Sequence, residues 1–203
     1  MARKHARNPW AGRTRPATTR TAAPTALGID IGRVIIAPGD GPHDTSFLGG
    51  SDADAMRTPP SPGALETITE LVEALGGRVR LVSKCGPAIQ ARTRKWLAHW
   101  RFHERTGLPS QQVRFCRKRP EKGPICAQLG LGAFIDDRPD VLAPMAGLVP
   151  WRYLFGPQRR PPPPDVIPVR DWDEVRAELL PLAREAELTA TAGARGAASA
   201  RAP

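Results

Sequence analysis

"LGIDIGRVII", residues 27–36, is an apolar run interrupted by one carboxylate, Asp30, and one glycine, Gly32. Ala26 to Asp30 reads as a short buried strand, since a continuous apolar run of this length bounded by turn signals suits a strand covered on both faces. Val34 to Ala37 then continues as a turn or a flap strand. A carboxylate at the end of such a strand is either a turn residue or part of a site. The choice rests on what the remaining chain brings to the same place.

Residues 38–61 are rich in Gly, Pro and Asp and read as loop. Ser61 offers an N-cap with Pro62 at the first helical position, and Leu65, Ile68, Val72 and Leu75 follow helical spacing up to a stop at Gly76 and Gly77. "RVRLVS", 78–83, is a strand running into Ser83. Residues 88–105 form a second helix, and "QVRFC", 112–116, another short strand. "EKGPICAQLG" is a helix entered through Lys122, and "GAFIDD", 132–137, is a strand ending in two carboxylates. A turn or helix near 139–146 leads to the strand "GLVPWRYLF". Pro161 to Pro164 forms an extended spacer, and "VIPV" a last edge strand. Asp171 caps a final helix, with Glu174 completing a capping box and Pro181 kinking or ending it.

Strands alternating with helices predict an α/β fold: a Rossmann-like, doubly wound parallel sheet in a three-layer α/β/α arrangement over residues 26–186. Residues 1–25 and 187–203 read as disordered tails. Of the 30 Lys and Arg residues, six lie in 1–25 and two in 189–203, where there are no acids. The high net charge of +10 is therefore largely a property of the tails. Basic tails of this kind either bind nucleic acid or serve as soluble ends. The three cysteines form no C-x-x-C pair and suit a reducing compartment. The sequence has neither a transmembrane stretch nor an apolar signal-peptide core, so the expectation is a cytoplasmic protein without a membrane partner.

In such sheets ligands sit at the carboxyl ends of the strands. Asp30, Ser83, Asp136 and Asp137 all fall there and converge on one edge. Three carboxylates in one crevice repel each other unless a cation is present, and hard oxygen ligands with positions left for water suit Mg²⁺. Ser83 offers a hydroxyl, and Lys122 a positive charge at a helix start. Together they equip the edge for phosphoryl transfer. Each member has a plainer reading: Asp30 as a turn residue, Ser83 as the cap of the following helix, Lys122 as one more solvated base, "DDRPD" as an acidic helix start. The ordered set is more specific than any member.

That ordered set resembles the haloacid dehalogenase (HAD) superfamily over roughly residues 26–155. "LGIDIGRVII" is similar to the first motif, "RLVSKCG" to the second, Lys122 to the third-motif lysine, and "FIDDRPDVL" to the fourth. The resemblance implies Asp30 as nucleophile of an aspartyl intermediate, Ser83 and Lys122 holding the transferring group, and Mg²⁺ on Asp30, Asp136, Asp137 and the backbone carbonyl of Gly32. Family phosphatases usually carry a second Asp where Gly32 stands, to protonate the leaving group and activate water; such help is worth ~10²–10⁴-fold in rate. Three outcomes follow: a slow phosphatase, other chemistry of the family, or a non-catalytic binding module whose basic surface and tails engage nucleic acid or a protein partner. Asp40, His43, Asp44, Asp52 and Asp54 lie in the following loop as alternative proton sources.

Neither 31–77 nor 84–121 holds a full cap domain, so the expectation is a capless, open site with a small flap from 38 to 60. The substrate is expected to be a phosphorylated small molecule or macromolecule. "QARTRKWLAHWRFHERTG" interleaves bases with Trp96 and Trp100, a pattern open to single-stranded nucleic acid, but their helical spacing, shared by His103, places them on a core face. Arg114, Arg117, Lys118 and Arg119 predict a basic rim near Lys122.

Overall fold

The computed structural model describes residues 22–38, 47 and 50–199. Most of the expected N-terminal tail, and Asp40, His43 and Asp44 of the loop, lie outside the described residues. Residues 22–25 do not behave as a tail. The Trp151 indole donates to the Ala22 carbonyl at 3.3 Å and the Arg78 guanidinium to that of Thr25 at 2.8 Å.

Six strands make one parallel sheet: β1 (Leu27–Ile29), β2 (Val79–Lys84), β3 (Val113–Cys116), β4 (Ala133–Asp136), β5 (Trp151–Phe155) and β6 (Ile167–Val169), in the order β3-β2-β1-β4-β5-β6. The order reverses beside β1, which lies between β2 and β4. The registers Ile29↔Leu81 and Ile29↔Ile135 set the carboxyl ends of the three central strands at one height. Around the sheet lie α1 (Asp52–Arg57), α2 (Ala64–Ala74), α3 (Pro87–His99), α4 (Phe102–Thr106), α5 (Lys122–Gln128), α6 (Pro139–Leu142) and α7 (Trp172–Ser199). The Rossmann-like α/β fold expected from the sequence is the fold observed.

Alternation along each strand divides the core. Leu27, Ile29, Leu81, Ile135 and Tyr153 face a larger cluster with α2, α3, α4 and α7, whereas Val82, Phe134 and Leu154 face a smaller one with α5 and α6. Gly28 belongs to the second face. A Cβ there would come 2.4 Å from Phe134 and 2.7 Å from Leu131, so only glycine allows that packing.

Three local expectations change. The helix expected over 88–105 is two, because the chain turns at Arg101 (φ 52°) and fully buries Phe102, the first residue of α4. Ser61 does not cap α2; its backbone N–H donates to the Ile35 carbonyl at 2.7 Å, and Gly63 (φ 76°) takes the N-cap. The last helix neither ends at Pro181 nor gives way to a disordered tail at 187, and runs to Ser199. The proline removes one ladder bond, but Val175, Leu179, Leu180, Ala183 and Ala186 are buried on both sides of it. The alanine-rich stretch beyond suits a helix.

No helix among the described residues is long and apolar enough to cross a membrane. Nor do the described residues hold a cap domain: the described part of the expected flap is residues 38, 47 and 50–60, and its helix α1 packs against α3.

Candidate active site

The site is built on the turn after β1. The ladder continues one residue past the strand, with the Asp30 N–H donating to the Ile135 carbonyl at 2.9 Å, so Asp30 stands beside Asp136. The chain then makes one tight turn, the N–H groups of Ile35 and Ile36 both donating to the Ile31 carbonyl at 3.0 Å. Ile31, Val34, Ile35 and Ile36 are buried in this turn, and the Trp172 indole donates to the Val34 carbonyl at 3.0 Å. Arg33 takes φ 62°, a left-handed conformation costly for a side chain with a Cβ. It places its guanidinium Nε 3.0 Å from Asp137 Oδ2.

Lys122, the first residue of α5, reaches back between two strand ends. Its Nζ lies 2.6 Å from Asp136 Oδ2 and 2.8 Å from Asp30 Oδ1. The first is a hydrogen bond; the second is an ion-pair contact, and Asp30 Oδ1 has no hydrogen-bond partner among the described residues. All three side chains are buried, Asp136 completely. The other Asp136 oxygen accepts the Arg138 backbone N–H at 3.0 Å. Burial alone would lower the Lys122 pKa, but the charges of Asp30 and Asp136 outweigh it and hold the ammonium above its ordinary value. Burial raises the Asp136 carboxyl, and the Asp30 charge adds to this against the opposing pull of Lys122. Asp137 is also raised, by burial first and then by Asp30, with Arg33 opposing.

Asp30, Asp136 and Asp137 each place a carboxylate oxygen within 4.8 Å of the others. Two opposite ligands of one Mg²⁺ span about 4.2 Å, twice a ~2.1 Å bond. The three acids therefore fit a divalent cation after a small closure. The charges support the fit: three carboxylates face two cations, Lys122 and Arg33, and burial and mutual repulsion push two of the acids toward the neutral form. One more positive group would relieve both.

A cavity of about 500 Å³ opens over this cluster, lined among others by Asp30, Gly32, Arg33, Ser83, Lys122 and Asp137. The structure thus brings together Asp30, Gly32, Ser83, Lys122, Asp136 and Asp137, with one refinement. Asp137 lines the cavity, whereas Asp136 lies beneath it with both oxygens engaged. Ser83 does not cap the helix that follows it; α3 has Gly86 as N-cap and no side-chain cap, and Gly86 too lines the cavity. Ser83 and an open helix N-terminus therefore face the same space, a favourable setting for an anion.

Of the loop acids, Asp54 completes the capping box of α1, its carboxylate accepting the N–H of the N-cap Ser51, and Asp52 pairs with Lys95 and Arg92. Hydrogen bonds from those partners lower both pKa values, and neither acid lines the cavity described above. Trp96 is buried and donates to the Thr58 carbonyl at 2.8 Å, and Arg94 stacks over Phe115. That stretch is taken up by the fold. Of the expected basic rim, Arg119 lines the cavity. Arg33 and Arg138 also line it and were not expected. Adjacency to Gly32 and to "DD" was their only signal.

No family model and no curated protein matches the chain. Among solved structures, D,D-heptose 1,7-bisphosphate phosphatase from Burkholderia thailandensis is similar over 76% of this chain and 97% of its own, with TM-score 0.51 and 15% identity. A haloacid dehalogenase-like family hydrolase from Xanthomonas campestris is similar over 82% of this chain and 99% of its own, with TM-score 0.47 and 13% identity. At such identity the first likeness establishes the fold alone.

Proposed function

We propose that the protein is a HAD-like hydrolase, a Mg²⁺-dependent phosphatase or phosphotransferase acting through an aspartyl intermediate on a phosphorylated substrate. The observation that carries the proposal is Lys122 bridging Asp30 and Asp136 beneath a cavity that Ser83 and Asp137 also line. Four separate elements deliver these groups to one point, and a turn residue or a solvated base needs no such company.

In this reading an Asp30 carboxylate oxygen attacks phosphorus and the ester P–O bond breaks. Lys122 fixes the nucleophile's orientation, and with Ser83 and the α3 N-terminus it donates to the phosphoryl oxygens. The leaving oxygen takes its proton from solvent, because Gly32 has none to give. Water then attacks the phosphoaspartate, releasing phosphate and restoring Asp30. Asp30, Asp136, Asp137 and the Gly32 carbonyl would hold Mg²⁺, which would neutralise charge on the transferring group. Three free, buried cysteines suit a reducing compartment, and we place the protein in the cytoplasm.

Gly32 favours one other reading, a non-catalytic HAD-like module that binds a nucleic acid or protein partner. Turnover of an aryl phosphate separates the two. Hydrolysis that needs Mg²⁺ and disappears in Asp30→Asn supports the enzyme. A folded, Mg²⁺-loaded protein without turnover on aryl or alkyl phosphates supports the binding module.

A further inference from the structure

We propose that the substrate carries a second phosphate, held in an arginine-lined groove beside the site. The inference rests on the phosphohydrolase reading above and extends it to the substrate. The groove encloses about 1070 Å³ and shares Arg33, Pro38, Asp137 and Arg138 with the site cavity, so one ligand can occupy both. A simple monophosphate fits within the smaller cavity and does not need the larger space.

Five arginines line the groove. Arg33, Arg138 and Arg170 are answered by Asp137, Asp140 and Glu174. Arg159 and Arg160 are exposed and have no ion-pair partner among the described residues. Both sit on the crossover from β5 to β6, which is held before them by Gln158 and after them by Arg152, whose guanidinium reaches the Asp165 carbonyl at 3.5 Å. Gln158 donates to the Phe155 carbonyl at 3.0 Å and reaches that of Asp137 at 3.4 Å, and Pro161 to Pro164 follow. A stiff loop lowers the entropy lost when the guanidinium groups close on a ligand.

A second observation is independent of these charges. Ser61 lines the groove, is only 5% exposed, and its Oγ has no hydrogen-bond partner among the described residues. It lies two residues before Gly63, the N-cap of α2, where no side chain caps the helix. A buried hydroxyl left without a partner is costly unless a ligand completes it. Guanidinium forks, a serine hydroxyl and an open helix N-terminus share one preferred guest, a tetrahedral oxyanion. The acids that also line the groove do not cancel this. Asp137 and Asp140 are paired, Asp171 accepts the Glu174 N–H at 2.9 Å, and Asp173 lies in the first turn of α7. The second phosphate can belong to a small bisphosphate or to a polynucleotide backbone.

The test compares kcat/KM with Mg²⁺ in two pairs: glucose 1,6-bisphosphate against glucose 1-phosphate, and 5′-phosphorylated hexathymidylate against thymidine 5′-monophosphate. The wild type should prefer the member with the extra phosphate by about tenfold or more in one pair, which identifies the source. Arg159→Ala/Arg160→Ala should abolish that preference ratio. No preference in either pair, or equal losses on both members in the variant, overturns the inference and leaves the phosphohydrolase reading standing. If the wild type hydrolyses none of the four, aryl phosphate turnover alone decides that reading. Calorimetric titration of Asp30→Asn with the same compounds then decides the groove, which stands only if the extra phosphate tightens binding through Arg159 and Arg160.

Discussion

At Gly32 a Cβ would meet nothing within 4 Å, and φ lies outside the left-handed region. Backbone and packing therefore do not demand glycine here, and an acid can be placed without strain. Gly32→Asp should fold like the wild type and raise aryl phosphate hydrolysis, by up to ~10²-fold if leaving-group protonation limits turnover; an unchanged rate in a variant that still binds Mg²⁺ would show that the site serves other chemistry. Lys122 offers a stability test. Lys122→Met leaves Asp30 and Asp136 buried without their shared cation, a change that costs about 3–5 kcal/mol in comparable buried pairs. The penalty applies to the ionised acid. The native Asp136 carboxyl already titrates above the ordinary 3.8, and losing the lysine raises it further. Wild type and variant both hold the Asp136 proton below about pH 7, where the wild-type carboxyl begins to release it, so the deficit should stay level in acid and grow as pH rises above about 7. A deficit in urea denaturation that stays flat with pH would contradict the buried pairing.

The elements that hold the site show in the sequence to different degrees. The turn after β1 is anchored from a distance: α7 supplies Trp172, fully buried, whose indole holds the Val34 carbonyl and whose ring lies 5.6 Å from that of Phe155. Trp172→Phe removes that hydrogen bond from a buried carbonyl and should cost about 1–2 kcal/mol in chemical denaturation, a loss near zero being the contrary result. Nothing in the sequence ties residue 172 to residue 34, because the contact is made only by folding. The same holds for the break at Arg101, where a non-glycine residue in the left-handed region gives no local signal. Ser61 misleads for a related reason: it has the chemistry of a cap, but its backbone N–H is taken by Ile35. By contrast, the strand of Asp30 and the helix entered through Lys122 stand where their apolar patterns and turn residues put them.

For the whole molecule, one topological fact places the chemistry. A parallel sheet whose order reverses beside β1 gathers the ends of β1, β2 and β4 at a single edge; residues 30, 83, 136 and 137 were legible as neighbours because each stands at the carboxyl end of a strand in a parallel sheet. Lys122 was legible as a base at a helix start, but its insertion between two carboxylates depends on the depth at which α5 packs. The groove carrying Arg159 and Arg160 was not legible, since it forms where the β5–β6 crossover, α2 and α7 come together far apart in sequence. The central claim is that Asp30 accepts a phosphoryl group in a Mg²⁺ site, and BeF₃⁻ mimics that group on a carboxylate. Thermal unfolding should be measured with Mg²⁺ and BeF₃⁻ together and separately, for the wild type and Asp30→Asn. The expected result is a rise of several degrees in Tm for the wild type with both additives and none for Asp30→Asn. A wild-type Tm unmoved by the pair, or an equal rise in Asp30→Asn, would contradict the account.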